Sequence, residues 1–193
     1  FLVSVSEATS VSGPIVDQTL SVGGTAFTTD LTDVFANGVE PVGYASAVTA
    51  GTSVTASVEG NVLTVTAEEA GVSTVEYTAT DVNGVSTSDT FEVTVNAAPT
   101  ATGIADFVID VIDPAGVFTL GADFSFAGGT GALTVNDPTV DDATVASATW
   151  DVGAGTLTID GLAAGVANVT VSATDANGST ASFTTQVTVT AVT

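Results

Sequence analysis

The sequence predicts an all-β chain: two tandem β-sandwich domains preceded by an orphan N-terminal strand. Three observations carry that expectation. The stretch Gly71 to Asn96, GVSTVEYTATDVNGVSTSDTFEVTVN, recurs without a gap at Gly165 to Thr190 as GVANVTVSATDANGSTASFTTQVTVT, with about half the positions identical. No stretch keeps a 3.6-residue apolar period over helical length, whereas Thr and Val dominate and alternate as strand residues do. A third, partial copy, FLVSVSEATSVSG at Phe1 to Gly13, lines up with FEVTVNAAPTATG at Phe91 to Gly103, so the sequence as written opens on a last strand.

Each element can be justified in turn. Phe1 to Ser6 alternates Phe1, Val3 and Val5 against Leu2, Ser4 and Ser6. Leu2 is the anomaly, because the equivalent positions in the two complete domains are Glu92 and Gln186. A strand that is apolar on both faces at its start calls for burial on both sides. Residues 1–11 therefore form the orphan strand and its linker, 12–97 the first domain and 98–193 the second.

In the first domain Ile15 to Val22 reads as a strand turned by Gly23 and Gly24, and Phe27, Thr29 and Leu31 begin a second run that ends near Phe35. Asn37 and Gly38 mark a turn before a third strand through Val42, Tyr44 and Ser46. Val54 to Val58 and Val62 to Thr66 follow around Gly60 and Asn61. The repeated stretch then closes the domain as a β-hairpin. Val75, Tyr77 and Ala79 face one way and Val93 and Val95 return, with Asp81, Asn83 and Gly84 at the turn. The short, proline-bearing NAAPT at Asn96 to Thr100 is the expected boundary. The second domain repeats the plan with Ile104 to Ile112, Val117 to Phe124, Leu133 to Val135, Val145 to Trp150 and Thr156 to Ile159. Its closing hairpin buries Val169, Val171, Ala173, Val187 and Val189 around Asp175, Asn177 and Gly178.

Composition excludes several functions. The 193 residues contain no Lys, Arg, His, Cys or Met, and their formal charge is −22 although charged residues are only 11% of the chain. Nucleic acid and anionic membrane surfaces are not expected partners, because affinity for phosphates comes from basic side chains. Without Cys there is neither a disulfide nor a thiolate metal site. No apolar run approaches the roughly 18 residues of a spanning helix. The chain also lacks every trypsin-type cleavage site and every side-chain salt bridge. Those bridges are a small loss at about 0 to 1 kcal/mol each, and one that an extracellular protein, secreted after removal of a signal peptide, tolerates.

Seven short strands with turns every 8 to 12 residues or so, in units of about 90 residues, indicate a sandwich of immunoglobulin-like architecture. Pro14 to Phe35, PIVDQTLSVGGTAFTTDLTDVF, followed by GNVLTVTAEEAGVSTVEYTATDVNGVSTSDTFEVTV, resembles the bacterial and archaeal cadherin-like or immunoglobulin-like repeats found in tandem on surface and secreted proteins. The resemblance covers nearly all of the first domain and the second half of the second. It implies a sandwich fold and a structural or adhesive role, without one fixed activity. Many such repeats carry alternating Asp and Gly after the position of Phe35 as calcium ligands. Here that place reads ANGVEPVGY and keeps only Glu40.

The remaining acidic clusters are Asp30 with Asp33, Asp110 with Asp113, and Asp137 with Asp141 and Asp142. Calcium takes six to eight or so oxygen ligands, so Asp137, Asp141 and Asp142 are its candidate ligands, set against the plainer reading of loop acids and turn formers; no other cofactor is expected. No enzyme is expected, because the usual general base, thiol nucleophile, Schiff base and oxyanion clamp are absent and only paired-carboxylate chemistry stays open. Trp150 and Tyr77 read as core fillers, since the twelve aromatics are scattered rather than grouped as a sugar platform. Asn168-Val169-Thr170 and Asn177-Gly178-Ser179 match the glycosylation acceptor pattern, which would make the chain a glycoprotein.

The orphan strand carries the functional expectation. Phe1, Leu2, Val3 and Val5 are the candidate assembly residues of a structural subunit of an extracellular, pilus-like filament. Donor strand complementation would insert them into a neighbouring copy, and the head-to-tail contact would propagate as a homopolymer on the cell surface. The alternative is an immunoglobulin-like stalk or spacer of a longer surface adhesin or secreted enzyme, with Phe1 to Ser6 the last strand of an upstream domain. A third possibility is that the segment pairs within its own domain as an edge strand.

Overall fold

The structure, a computed structural model, describes residues 7–191, so the assembly candidates Phe1, Leu2, Val3 and Val5 lie outside the described residues. No helix occurs among the described residues. The chain divides into two compact units that meet at Ala97 and Ala98.

The first unit contains β1 (Ser10–Val11), β2 (Gln18–Ser21), β3 (Phe27–Asp30), β4 (Phe35–Ala36), β5 (Gly43–Ala50), β6 (Val54–Glu59), β7 (Val62–Ala67), β8 (Gly71–Thr80) and β9 (Ser86–Asn96). One sheet has the order β2-β9-β8-β5 and the facing sheet β3-β7-β6, with β1 and β4 forming a small extra pair. β2 runs parallel to β9, and the other ladders are antiparallel. This is an immunoglobulin-like sandwich, in which β2 pairs with the last strand, β9.

Alternation explains the core. Val75, Tyr77 and Ala79 of β8 and Phe91, Val93 and Val95 of β9 are buried on one face. They meet Leu63 and Val65 of β7 from the opposite sheet. Phe35, Tyr77 and Phe91 form an aromatic chain with ring centroids 5.6 and 6.0 Å apart, within the range for favourable aromatic pairs.

The second unit repeats the plan with β10 (Thr100–Thr102), β11 (Phe107–Asp110), β12 (Gly116–Thr119), β13 (Ser125–Ala127), β14 (Thr134–Val135), β15 (Thr139–Val140), β16 (Ala146–Asp151), β17 (Thr156–Gly161), β18 (Gly165–Thr174) and β19 (Thr180–Thr190). Its sheets are β11-β19-β18-β14, with β15 also on β18, and β12-β17-β16. Val169, Val171, Ala173, Val187 and Val189 are buried as the repeat requires.

The strands are shorter than alternation suggests, and aspartates are the reason. Only Gln18–Ser21 of the expected Ile15 to Val22 strand joins a ladder. Just before it, the Asp17 carboxylate accepts the Glu92 amide at 2.8 Å and the Tyr77 hydroxyl accepts the Ile15 amide at 3.1 Å. The second unit repeats the device, with Asp106 accepting the Gln186 amide at 2.8 Å ahead of Phe107–Asp110, the part of Ile104 to Ile112 that forms a strand. Asp30 stops β3 by accepting both the amide and the hydroxyl of Thr32. Asp123 stops the expected Val117 to Phe124 strand at Thr119 by accepting its amide. Side-chain acceptors of this kind compete locally with ladder hydrogen bonds.

Candidate functional site

Two buried aspartates organise the closing hairpins. Asp81 is 5% exposed, and its Oδ1 accepts the amides of Asn83 and Val85 at 2.9 and 3.0 Å. Asp175 is 6% exposed, and its Oδ1 accepts the amides of Asn177 and Ser179, both at 2.9 Å. Each aspartate also reaches the loop before its hairpin. Asp175 Oδ2 accepts the Thr130 amide at 2.9 Å, whereas Asp81 Oδ2 reaches the Val39 amide only at 3.5 Å. The left-handed backbone in these turns falls on Gly84 and Gly178, at φ 80° and 84°, and not on the asparagines. Asn83 and Asn177 donate their backbone amides to the aspartate two residues earlier.

Of the candidate calcium ligands, Asp142 forms a local turn and Asp141 holds a residue of β18. Asp141 accepts the backbone amide and the side-chain amide of Asn168, each at 2.7 Å. Those bonds hold its carboxyl below the ordinary range. Asp142 accepts the hydroxyl and amide of Thr144, which lower its pKa likewise. Asp137 is exposed in the segment between β14 and β15. Among the described residues no group of three or more His, Cys, Asp or Glu side chains is placed to hold a metal ion.

Of the glycosylation candidates, Asn168 is half-buried on β18, opposite Gln186, with its side-chain nitrogen on Asp141. Asn177 is half-buried at the hairpin turn beside Asp175. Tyr77 is fully buried and spans a cross-strand pair, its hydroxyl donating to Asp89 at 3.0 Å. Burial, with the Asp89 carboxylate beside it, pushes the Tyr77 phenol up.

The third-strand position separates the two units. In the first it is the eight-residue β5, paired with β8 from Gly43 to Ala50, with its register shift at the far end, between Val48 and Ala50. In the second it is broken into β14 and β15. Val135 pairs with Ala173 and Thr139 with Thr170, so one extra residue is accommodated in mid-strand. Pro138 lies in that bulge, and proline has no amide to give a ladder.

Beside the broken strand is an apolar pocket of about 310 Å³, lined by Leu120, Leu133, Val135, Trp150 and Val152 together with Thr134 and Gly155. Trp150 is therefore more than a core filler. One side packs on Phe124 at 6.0 Å between ring centroids, and the half-buried ring also lines the pocket. Val152 is 81% exposed. The pocket is flanked by β14 and β16, the last strands of their sheets in strand order.

Among the described residues no helix is long and apolar enough to cross a membrane. No family model matches the chain, and no curated protein matches its sequence. Among solved structures it is similar to an I-band fragment of titin at 14% identity, covering 96% of this chain and 66% of that one with a TM-score of 0.43. It is also similar to the EC1–4 fragment of Drosophila N-cadherin, at 15% identity over 95% of this chain and 50% of that one, with a TM-score of 0.36. An endo-fucoidan hydrolase of glycoside hydrolase family 107 matches at 15% identity with a TM-score of 0.38, covering 96% of this chain and 29% of that one. The chain thus spans less than two thirds of the length of each of these three proteins. The chain's own strand order describes it as two tandem immunoglobulin-like β-sandwich domains.

Proposed function

We propose that this chain is a non-catalytic structural subunit of an extracellular filament, joined head to tail by donation of residues 1–6 to a neighbouring copy. One observation carries the reading. Residues 1–13 are a partial copy of the closing-strand sequence of residues 91–103, yet each described domain already has a closing strand of its own, β9 or β19, paired with its neighbour over ten positions. A third closing-strand sequence therefore has no vacancy of the same kind in either domain. The apolar Leu2, in place of Glu92 and Gln186, supports burial on both faces. The lack of Lys and Arg supports an extracellular life free of trypsin-type cleavage and leaves copies of itself, rather than nucleic acid or anionic membranes, as the partner.

The second reading is a stalk or spacer in a longer tandem array. It is favoured by the short link from β9 to β10, which lets one repeat run directly into the next. Sedimentation velocity of the full chain and of a variant lacking residues 1–6 tests the proposal. Concentration-dependent polymers from the full chain alone support it. Monomers from both samples refute it and leave the spacer.

A further inference from the structure

We infer that the pocket beside the broken strand of the second domain is the acceptor for residues 1–6 of another copy. This inference rests on the filament reading and names the surface it uses.

The two sandwiches differ at one edge. In the first domain β5 runs unbroken along β8 for most of its length. In the second, the bulge at Pro138 splits the equivalent strand, and Leu133 and Val135 on the near side of the break join Leu120, Trp150 and Val152 in lining an open cavity of about 310 Å³. That is about ten times the roughly 30 Å³ that a water molecule occupies in the liquid, and ample for an aromatic ring. The flanking strands β14 and β16 each end their sheet's strand order, so both offer an edge to an added strand.

The chemistry of the lining selects the occupant. The polar side-chain groups of the lining are the Thr134 hydroxyl and the Trp150 indole N–H, and none is charged. A sugar needs several placed donors and acceptors, whereas an apolar strand needs main-chain pairing at an edge and pockets for alternate side chains. Residues 1–6, FLVSVS, fit the second description, with Phe1, Val3 and Val5 on one face and a length of about 20 Å when extended.

Charge points the same way. Two copies of a chain with a formal charge of −22 repel each other, so they meet most readily through uncharged surfaces. The first acidic residue is Glu7, just beyond the segment, and the pocket lining carries no carboxylate. Direction agrees as well. A segment at the front of the first domain that docks on the second domain of another copy makes a heterologous contact, which extends as a fibre.

The test uses the sole tryptophan, which lines the pocket. A chain lacking residues 1–6 is titrated with the synthetic peptide FLVSVS while Trp150 fluorescence is followed. The same titration is run on that chain carrying Leu120→Asp and Val152→Asp. Both positions are exposed, at 39% and 81%, so the fold is retained, as far-UV circular dichroism will verify. The inference expects a saturable blue shift and, in the double variant, binding weaker by at least about tenfold.

Absence of a shift, or equal binding by both proteins, overturns the inference. A shift produced by simple oligosaccharides but not by the peptide also overturns it and makes the pocket a sugar site. Failure here is distinct from failure of strand donation. If polymers are lost on removal of residues 1–6 but survive Leu120→Asp with Val152→Asp in the full chain, the donated strand stands and its acceptor lies elsewhere.

Discussion

The two domains share a closing hairpin, identical at about half its positions and aligned without a gap, and differ in what is built around it. Both pin the hairpin turn with a buried aspartate, Asp81 or Asp175, and both cap the switching strand with another, Asp17 or Asp106. The cross-strand pair Tyr77 and Asp89 of the first domain becomes Val171 and Phe183 in the second, a hydrogen-bonded bridge exchanged for an apolar contact. Phe183 then packs on Phe124, at 5.5 Å between ring centroids. The unbroken β5 becomes the split pair β14 and β15 beside the Trp150 pocket. The repeat keeps the hairpin that closes the fold and varies the strand at one edge, which in the second domain still pairs with β18 on both sides of its break.

The probes divide as the domains do, because both tyrosines lie in the first domain and the only tryptophan in the second. The largest expected effect is at the hairpin pins. Asp175→Ala removes three well-placed charge-assisted acceptor contacts and leaves buried amides unmatched. It should destabilise the second domain by roughly 4 kcal/mol, read by denaturant unfolding through Trp150 fluorescence. Asp81→Ala, whose third contact is long, should cost the first domain about 1 kcal/mol less, read through near-ultraviolet tyrosine signals. Equal losses would mean that the loop contact contributes nothing.

Next comes the return from β5. Gly51 has φ 79°, and a Cβ there would stand 2.2 Å from the Val72 carbonyl oxygen. Gly51→Ala should therefore cost the first domain about 2 to 3 kcal/mol and leave the tryptophan transition in place. An unchanged tyrosine transition would show that this edge yields easily.

Tyr77→Phe is a smaller change, removing the hydroxyl that accepts from Ile15 and donates to Asp89. A loss of about 1 to 2 kcal/mol confined to the first domain is expected in the same denaturation assay. Loss of the tryptophan transition as well would contradict independent domains.

The smallest effect is on acid stability. Asp30 in the first domain and Asp141 and Asp142 in the second have pKa values lowered from 3.8 by their hydrogen bonds. A carboxyl with a depressed folded pKa binds protons more readily in the unfolded chain. Its contribution is thus present in full above the ordinary value and is lost as pH falls from there through the lower folded value. Asp141→Asn with Asp142→Asn should therefore lessen the second domain's loss of stability in titrations below pH 4 or so. An unchanged loss would show that the Asp141 and Asp142 contacts do not persist in solution.

Much of the fold was legible in the sequence because a half-buried hairpin writes itself as alternation. Val75, Tyr77, Ala79, Val169, Val171 and Ala173 are buried on the faces their parity implies. Strand ends were not legible, since Asp17, Asp30, Asp106 and Asp123 end ladders with side chains that composition scores only as acids. β15 escaped notice because two residues carry no period, although Pro138 signalled a break. The pocket was hidden for a similar reason. Leu133 and Val135 alternate as core residues do, and Trp150 reads as a core filler, yet all three line the pocket. The candidate donor segment is legible through its partial match to Phe91 to Asn96, whereas the proposed acceptor can be read from tertiary structure alone.

Strand donation is the central claim, and electron microscopy of the full chain beside a chain lacking residues 1–6, over a range of concentrations and salt, tests it most directly. The account predicts fibres from the full chain, favoured by salt because screening relieves repulsion between acidic copies, and only folded two-domain monomers after truncation. Fibres that persist without residues 1–6, or separate monomers in both samples, would contradict it.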